Sequence, residues 1–316
     1  MDVVTVGETM VLFTPISKGQ LRNAHTFSKT YAGAESNVAI GLSRLDHQVG
    51  WISRVGHDEF GKSVLSFIRG EGVDTSQVQL DSEAATGVFF KEVRNPKDVR
   101  VTYYRNGSAA SRMSANDLDE EYLKKAKYLH LSGITPALSA SCYEMVKEAI
   151  RIAKKHSVTI IFDPNVRRSL WSEEQARRTL LEIAENVDII LPGIDEGAFL
   201  LGEKEPEKIA KRFLELGPSL VVLKVGAKGA YYFTETESKL VPGYLVEHVV
   251  DPVGAGDGFL AGFTSGLLDG LQIEEAVQRG NAVGAMVTMV EGDVEGLPDK
   301  QEIEAFIKPN IEDVQR

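Results

Sequence analysis

Apolar residues along the chain fall into short, nearly continuous runs, separated by segments where they recur every three or four positions. VVTVG (3–7), VGWISRVG (49–56), YLHLSG (128–133), VTIIFDPN (158–165), VDIILP (187–192) and LVVLKVG (220–226) are the continuous runs. Such runs predict strands buried on both faces of a parallel sheet. Between them, SNVAIGLSRL (36–45), DEFGKSVLSFIRGEG (58–72), SASCYEMVKEAIRIAKKH (139–156) and SEEQARRTLLEIAEN (172–186) carry helical spacing. Ser139 and Ser172 stand where the last two need N-caps. The βαβα alternation predicts an α/β fold with a doubly wound, mainly parallel sheet. Ligands of such sheets bind beyond the carboxyl ends of the strands.

Two segments leave this rhythm. Residues 10–33 have no helix period. Residues 86–107 alternate around Asn95-Pro96-Lys97-Asp98 and predict a hairpin. Both read as additions to the core sheet, forming a small β-sheet lid over its ligand edge. No linker, repeat or low-complexity stretch divides the chain, so residues 1–316 are expected to form one domain with that lid. An open hairpin face bearing Phe89, Phe90, Tyr103 and Tyr104 would be a sticky edge, so a homo-oligomer closed through the lid is expected.

Composition narrows the function. The 316 residues are 43% hydrophobic, enough for a sizeable core. A net charge of −11 without a Lys/Arg cluster argues against a nucleic-acid partner. The single cysteine, Cys142, allows no disulfide within the chain and no CxxC metal site, which fits a reducing cytoplasm. It reads as a small buried apolar residue. The chain opens without a basic leader or an apolar run of about 20 residues, so neither a signal peptide nor a membrane span is expected. His130, in YLHLSG, reads as a core histidine with its hydrogen bonds met.

The densest chemistry lies in DPVGAGDGFLAGF (251–263). Leu260, Phe263 and Leu267 share one helix face, so the glycines stand at a helix start. Backbone amides there attract anions, and glycines let a phosphate approach them. No GK[ST] follows, so this is not a Walker A loop. The first strand lacks GxGxxG, which argues against a nicotinamide oxidoreductase. Asp257 at the mouth of an anion site makes sense if a phosphoryl group is transferred to an alcohol. The carboxylate takes the alcohol proton while the amides stabilise charge on the moving group. A non-catalytic binding protein would need neither Asp257 nor this glycine frame.

DPVGAGDGFLAGF resembles the C-terminal signature of the ribokinase-like (PfkB) carbohydrate kinases. YAGAESNVAIGLSRLDHQVGWISRVGHDEFGKSVLSFIRGEGVD (31–74) resembles their N-terminal signature, with Gly33, Asn37, Gly56, Asp58 and Gly61 matching. DPNVR (163–167) and KVGAKGA (224–230) match in order and spacing. The resemblance implies ATP-dependent phosphorylation of a sugar hydroxyl, with Asp257 as base and the amides of Gly254, Ala255 and Gly256 as anion hole. It implies nucleotide contacts at Asn165, Lys224, Val225, Gly226, Lys228, Gly229, Gly254, Gly256 and Asn281, with Gly229 allowing close approach of the chain to the nucleotide. Relatives often carry Asn-x-x-Glu where this chain has Gly193-Ile194-Asp195-Glu196. Glu196 is therefore expected to hold Mg²⁺ through water. In some relatives the acid matching Asp251 helps hold a monovalent cation such as K⁺. The same position here could equally be a structural turn acid.

Two arginines bear on the substrate. Alternation in VRVTYYRNG (99–107) puts Val101, Tyr103 and Arg105 on one strand face, and Arg167 ends DPNVR at the carboxyl end of a buried strand. A neutral ketohexose needs only hydrogen bonds, whereas two guanidinium groups suit a carboxylate. YYRNGSAAS and DPNVRRSLW resemble the 2-keto-3-deoxygluconate kinases within the family. That resemblance implies substrate contacts at Gly33, Asn37, Phe89 or Phe90, Tyr103, Arg105, Arg167, Asp257 and Asp293. The expected reaction is phosphorylation of a sugar acid on its terminal hydroxyl; fructokinase is the alternative in the same family.

Overall fold

The computed structural model describes residues 1–17, 19–95 and 98–308. Its strands are β1 (Val3–Val6), β2 (Met10–Pro15), β3 (Phe27–Ala32), β4 (Val49–Gly56), β5 (Val78–Asp81), β6 (Val88–Asn95), β7 (Asp98–Tyr104), β8 (Tyr128–Ser132), β9 (Thr159–Asp163), β10 (Ile189–Ile190), β11 (Leu220–Lys224), β12 (Gly229–Phe233) and β13 (Ser238–Pro242). They build a nine-stranded sheet in the order β13-β12-β11-β10-β9-β8-β1-β4-β5 and a four-stranded sheet in the order β3-β2-β6-β7. In the large sheet every neighbouring pair from β11 to β5 is parallel, and only β12 and β13 pair antiparallel.

The continuous apolar runs have the expected cause. Alternate residues of one strand point to opposite faces. Val3 and Ile161 join one apolar layer with Trp51, Phe259 and Phe263. Val4, Val6, Ile160 and Phe162 join the other, with Met145, Leu180 and Phe213. Both faces are covered by helices, so both parities must be apolar. The helices Ala34–Arg44, Glu59–Gly70, Ala140–Lys155 and Glu173–Ala184 stand where the periodicity places them. Ser139 Oγ accepts from Cys142 N–H (3.1 Å) and Ser172 Oγ from Gln175 N–H (3.2 Å), so both N-caps are made.

The strand ends differ in instructive ways. β10 is two residues long rather than six. Leu191 N–H still reaches Phe162 O (2.9 Å), but Pro192 has no amide to give, and past it only Lys224 N–H on Pro192 O (2.9 Å) and a single bridge between Gly193 and Lys224 carry on the pairing. β9 stops at Asp163 because Asn165 turns into the left-handed region (φ 37°), with its N–H on Asp163 Oδ1 (3.1 Å). The β12–β13 hairpin, absent from the sequence expectation, follows β11 directly.

The small sheet forms from residues 10–32 and 88–104, as the broken rhythm predicts. β2 pairs antiparallel with β3 and parallel with β6, and β6 pairs antiparallel with β7. The Pro96 and Lys97 centre of the expected turn lies outside the described residues. Asp58 fixes where β6 begins: its carboxylate caps Gly61 N–H (2.7 Å) and accepts from Thr86 N–H (2.9 Å) and Thr86 Oγ1 (2.9 Å). The expected open aromatic face is only partly open. Phe89 is buried, and Phe90 packs among Phe13, Phe27 and Tyr104, whereas Val101, Tyr103 and Tyr104 are exposed. Strand position explains it: β6 lies inside the sheet and β7 at its edge, so on each face the β6 aromatic is covered and its β7 neighbour, Tyr103 beside Phe89 and Tyr104 beside Phe90, is left exposed.

Cys142 is buried, with its thiol on Ala110 O (3.4 Å) and pushed up to about 11 by burial. His130 is buried as expected, but its hydrogen bonds are not met: neither ring nitrogen has a partner among the described residues. Burial lowers it to about 4, so the ring is neutral. No described helix is long and apolar enough to cross a membrane.

Candidate active site

Two cavities meet along the carboxyl ends of the parallel strands. The first, about 470 Å³, lies between the large sheet and the inner face of the small one. β6 and β7 contribute Phe89, Lys91, Val101 and Tyr103 to it, and Arg105 follows just after β7. The register pairs Phe89 with Tyr103 and Lys91 with Val101, so one strand parity supplies this wall. The large-sheet side supplies Gly33, Asn37, Asp163, Asn165, Arg167, Glu196, Gly254, Asp257 and Asp293. The second cavity, about 400 Å³, is mainly apolar, with Tyr244, Leu245, Val249 and Phe259 beside Gly226, Gly229 and Asn281. Lys224, Pro252 and Gly256 line both.

The helix Ala255–Leu268 points its N-terminus at this seam. Gly254 caps it in the left-handed region (φ 80°), and a Cβ there would lie 2.6 Å from Asp293 O. The first intrahelical bond runs from Gly258 N–H to Gly254 O (2.8 Å), so the amides before it stay outside the ladder. Of these, Ala255 N–H lies 3.4 Å from Pro252 O and is partly committed. Gly258 serves a different end. A Cβ on it would lie 2.7 Å from Val287, so it lets the helix Ile273–Val287 pack closely. The glycine frame therefore serves both the turn into the helix and helix packing.

Asp257, in the first turn of that helix, accepts from Asn37 Nδ2 at 2.8 Å. Burial pushes its carboxyl up to about 7, and the charges of Asp163 and Asp293 push the same way while Asn37 and Arg167 pull down. Burial likewise raises Asp293 to about 6. A carboxyl group poised near neutrality can take a proton from an alcohol and release it again.

The arginines differ in what they are free to do. Arg105 is buried and donates Nε–H to Glu8 Oε2 (2.8 Å), with Nη2 at 2.5 Å from the same oxygen. Ser108 Oγ donates to the other Glu8 oxygen (2.5 Å). The Arg105 guanidinium lies 5.6 Å from the Tyr103 ring, which stacks on Phe89 at 5.3 Å. The Arg167 side chain has no ion-pair or hydrogen-bond partner among the described residues, and it lines the first cavity from an exposed position. Phe90, the alternative to Phe89, lies on the opposite strand parity.

Of the residues assigned to the nucleotide, Lys224, Gly226, Gly229, Gly256 and Asn281 line the second cavity. Asn165 and Gly254 line the first. Val225 and Lys228 sit on the same turn but line neither. The reason for glycine at 229 is internal: at φ 106° a Cβ would lie 2.2 Å from Val241 O, so β12 and β13 require it. Asn281 donates Nδ2–H to Val241 O (3.0 Å) and Pro242 O (3.2 Å). Lys224 donates to Asp163 Oδ2 (2.8 Å), and the charges of Asp163 and Glu196 keep its ammonium protonated.

The acids expected to hold ions have definite protein partners of their own. Glu196 accepts from Val166 N–H (2.7 Å) and Gly193 N–H (2.8 Å), one on each oxygen, and burial with the Asp163 charge raises its carboxyl. No cluster of three metal-ligating side chains exists among the described residues. The acidic pair Glu196 and Asp163 suits a hydrated ion better than a stripped one. Asp251, the candidate for a monovalent cation, is instead paired with the Lys91 ammonium.

Glu8 and Lys91 escaped the sequence reading. Lys91 shares strand parity with Phe89, which was the available signal. Glu8 precedes the small sheet in VGETM and carried none.

The model of the pfkB family carbohydrate kinases matches residues 1–300. A protein of Bacillus subtilis (strain 168) named 2-dehydro-3-deoxygluconokinase is 44% identical over 309 residues, 97% of this chain and 95% of its own length. The crystal structure of a PfkB protein from Polaromonas sp. JS666 superposes with a TM-score of 0.89 at 43% identity, covering 96% of this chain and 99% of that one. A putative ribokinase II from E. coli, solved in complex with ATP and Mg²⁺, superposes at 0.90 with 31% identity, over 97% and 98% of the two chains. With the glycine-framed helix start, the half-buried Asp257 and the paired cavities, these likenesses place the chain in the PfkB family of carbohydrate kinases.

Proposed function

We propose that the protein transfers the γ-phosphoryl group of ATP to the terminal hydroxyl of 2-keto-3-deoxygluconate (equally, 2-dehydro-3-deoxygluconate), giving the 6-phosphate and ADP. The observation that carries this reading is the unpaired Arg167 facing the same cavity as Asp257 and Arg105. A carboxylate at one end of the substrate meets the guanidinium groups, and the hydroxyl at the other end reaches Asp257. Tyr103 and Phe89 form the apolar wall between them.

In the transfer, the sugar oxygen forms a bond to the γ-phosphorus while the bond to the β-phosphate oxygen breaks. The electron pair leaves with ADP and the hydroxyl proton passes to Asp257. The amides of Gly254, Ala255 and Gly256 stabilise charge on the moving group. The Lys224 ammonium, which lines both cavities, stands where the phosphoryl group crosses between them. The second cavity takes the nucleoside, with its apolar walls around the base. Glu196 and Asp163 would hold a hydrated Mg²⁺, whose charge offsets that of the phosphates.

A neutral-sugar reading draws on one observation: Glu8 already neutralises Arg105, leaving one free guanidinium. The product tests the proposed chemistry. Phosphorus and carbon NMR of the reaction with 2-keto-3-deoxygluconate is expected to show a single phosphomonoester on the terminal carbon. A phosphate on any other oxygen contradicts the placement of Asp257.

A further inference from the structure

We propose that Lys91 is a positioning residue for phosphoryl transfer: its ammonium, carried in by the small sheet, pins the turn Asp251–Gly254 from which the anion hole starts. Lys91 and Asp251 are 7% and 6% exposed, and they form an ion pair that joins the two sheets. Asp251 is the hub of its turn. Its Oδ1 accepts from Val253 N–H (3.2 Å), and Gly292 N–H lies 3.4 Å from the oxygen that takes the lysine. Val250 and Asp251 donate their own amides to Thr288 O at 2.8 and 3.2 Å. Three residues after Asp251, Gly254 takes the left-handed conformation that starts the helix. A buried carboxylate holding a turn in this way needs a cation, and a charge left unpaired there would rearrange or draw in water.

The lysine comes from β6, on the strand parity that lines the first cavity. It reaches Asp251 only with the small sheet in place over that cavity. Covering the substrate and shaping the anion hole are then a single event. Lys91 does not touch the moving phosphoryl group; it acts through Asp251 and the turn. This inference rests on the proposed role of the Gly254–Gly256 amides.

The test is Lys91→Ala, assayed at saturating ATP, Mg²⁺ and sugar, with and without methylammonium in the tens of millimolar. The variant is expected to lose about 10²-fold in kcat, the usual effect of slightly misplaced catalytic groups, with KM for both substrates nearly unchanged. Methylammonium, able to enter the vacated space and pair with Asp251, is expected to recover most of the loss. Asp251→Asn is expected to lose kcat similarly, without rescue. A lysine that merely stabilised the fold would shift the melting temperature but give no amine-dependent kcat. Wild-type kcat in Lys91→Ala, or a loss that no amine restores, overturns the proposal. Should that variant fail to fold, Lys91→Met/Asp251→Asn buries no charge and takes its place. It too is expected to turn over slowly, and wild-type kcat in it overturns the proposal. The wild type is run alongside with both 2-keto-3-deoxygluconate and fructose. Silence with the acid but activity with fructose is a failure of the substrate reading alone, and the comparison is then read with fructose.

Discussion

Asp257→Asn is expected to lower kcat by about 10²–10⁴-fold, about 3–5 kcal/mol of transition-state stabilisation, while ATP and sugar still bind. The amide keeps the shape of the carboxylate and can still meet Asn37, but it cannot accept the hydroxyl proton. Steady-state kinetics with calorimetric binding separates the two effects. Near-wild-type kcat would remove Asp257 from the mechanism. The raised carboxyl also fixes a pH signature. The base works ionised, so kcat/KM of the wild type should rise with pH through about 7. Stability should run the other way. The folded protein holds this proton more tightly than the unfolded chain, whose carboxyl titrates near 3.8. The resulting stabilisation is complete below the unfolded value and is lost as pH rises through about 7. Asp257→Asn should lose that component of the pH dependence.

Arg167→Ala is expected to lower kcat/KM for the sugar acid by about 10–10²-fold, the worth of one charge-assisted pair, and to leave fructose nearly unaffected. Arg167 is the cleaner of the two arginines to remove. It has no partner to orphan among the described residues, whereas removing Arg105 would strand Glu8, 2% exposed, as an unpaired buried acid. Stranding a buried charge costs about 3–5 kcal/mol of stability and would confuse any kinetic effect. An equal loss with a neutral sugar would show that Arg167 does not read a carboxylate.

The sheet was legible because burial on both faces puts apolar residues on both parities of β1, β4, β9 and β11. β10 is shorter than its apolar run because hydrophobicity carries no information about Pro192, which has no amide to give the ladder. The β12–β13 hairpin was hidden by the glycines of KVGAKGA, which read as a ligand loop although Gly229 is held by strand packing. The glycine-framed helix start was plain from DPVGAGD, and strand alternation put Val101, Tyr103 and Arg105 on one face, whereas the choice between Phe89 and Phe90 depended on the hairpin register. The partners of charged residues could not be read. Lys91 meets Asp251 from 160 positions away, and Arg105 meets Glu8 from 97. Such pairs depend on how the small sheet sits over the large one, which no local pattern encodes. The same limit applies to His130: its burial follows from its strand, but its lack of partners does not.

The most direct test of the account is ADP release with ATP and Mg²⁺, comparing kcat/KM for 2-keto-3-deoxygluconate, fructose and ribose. A carboxylate read by arginine predicts a preference for the acid of about 10²-fold or more over both neutral sugars. Equal or faster turnover of fructose would contradict it, leaving Asp257 and the anion hole in a kinase whose arginines serve the fold.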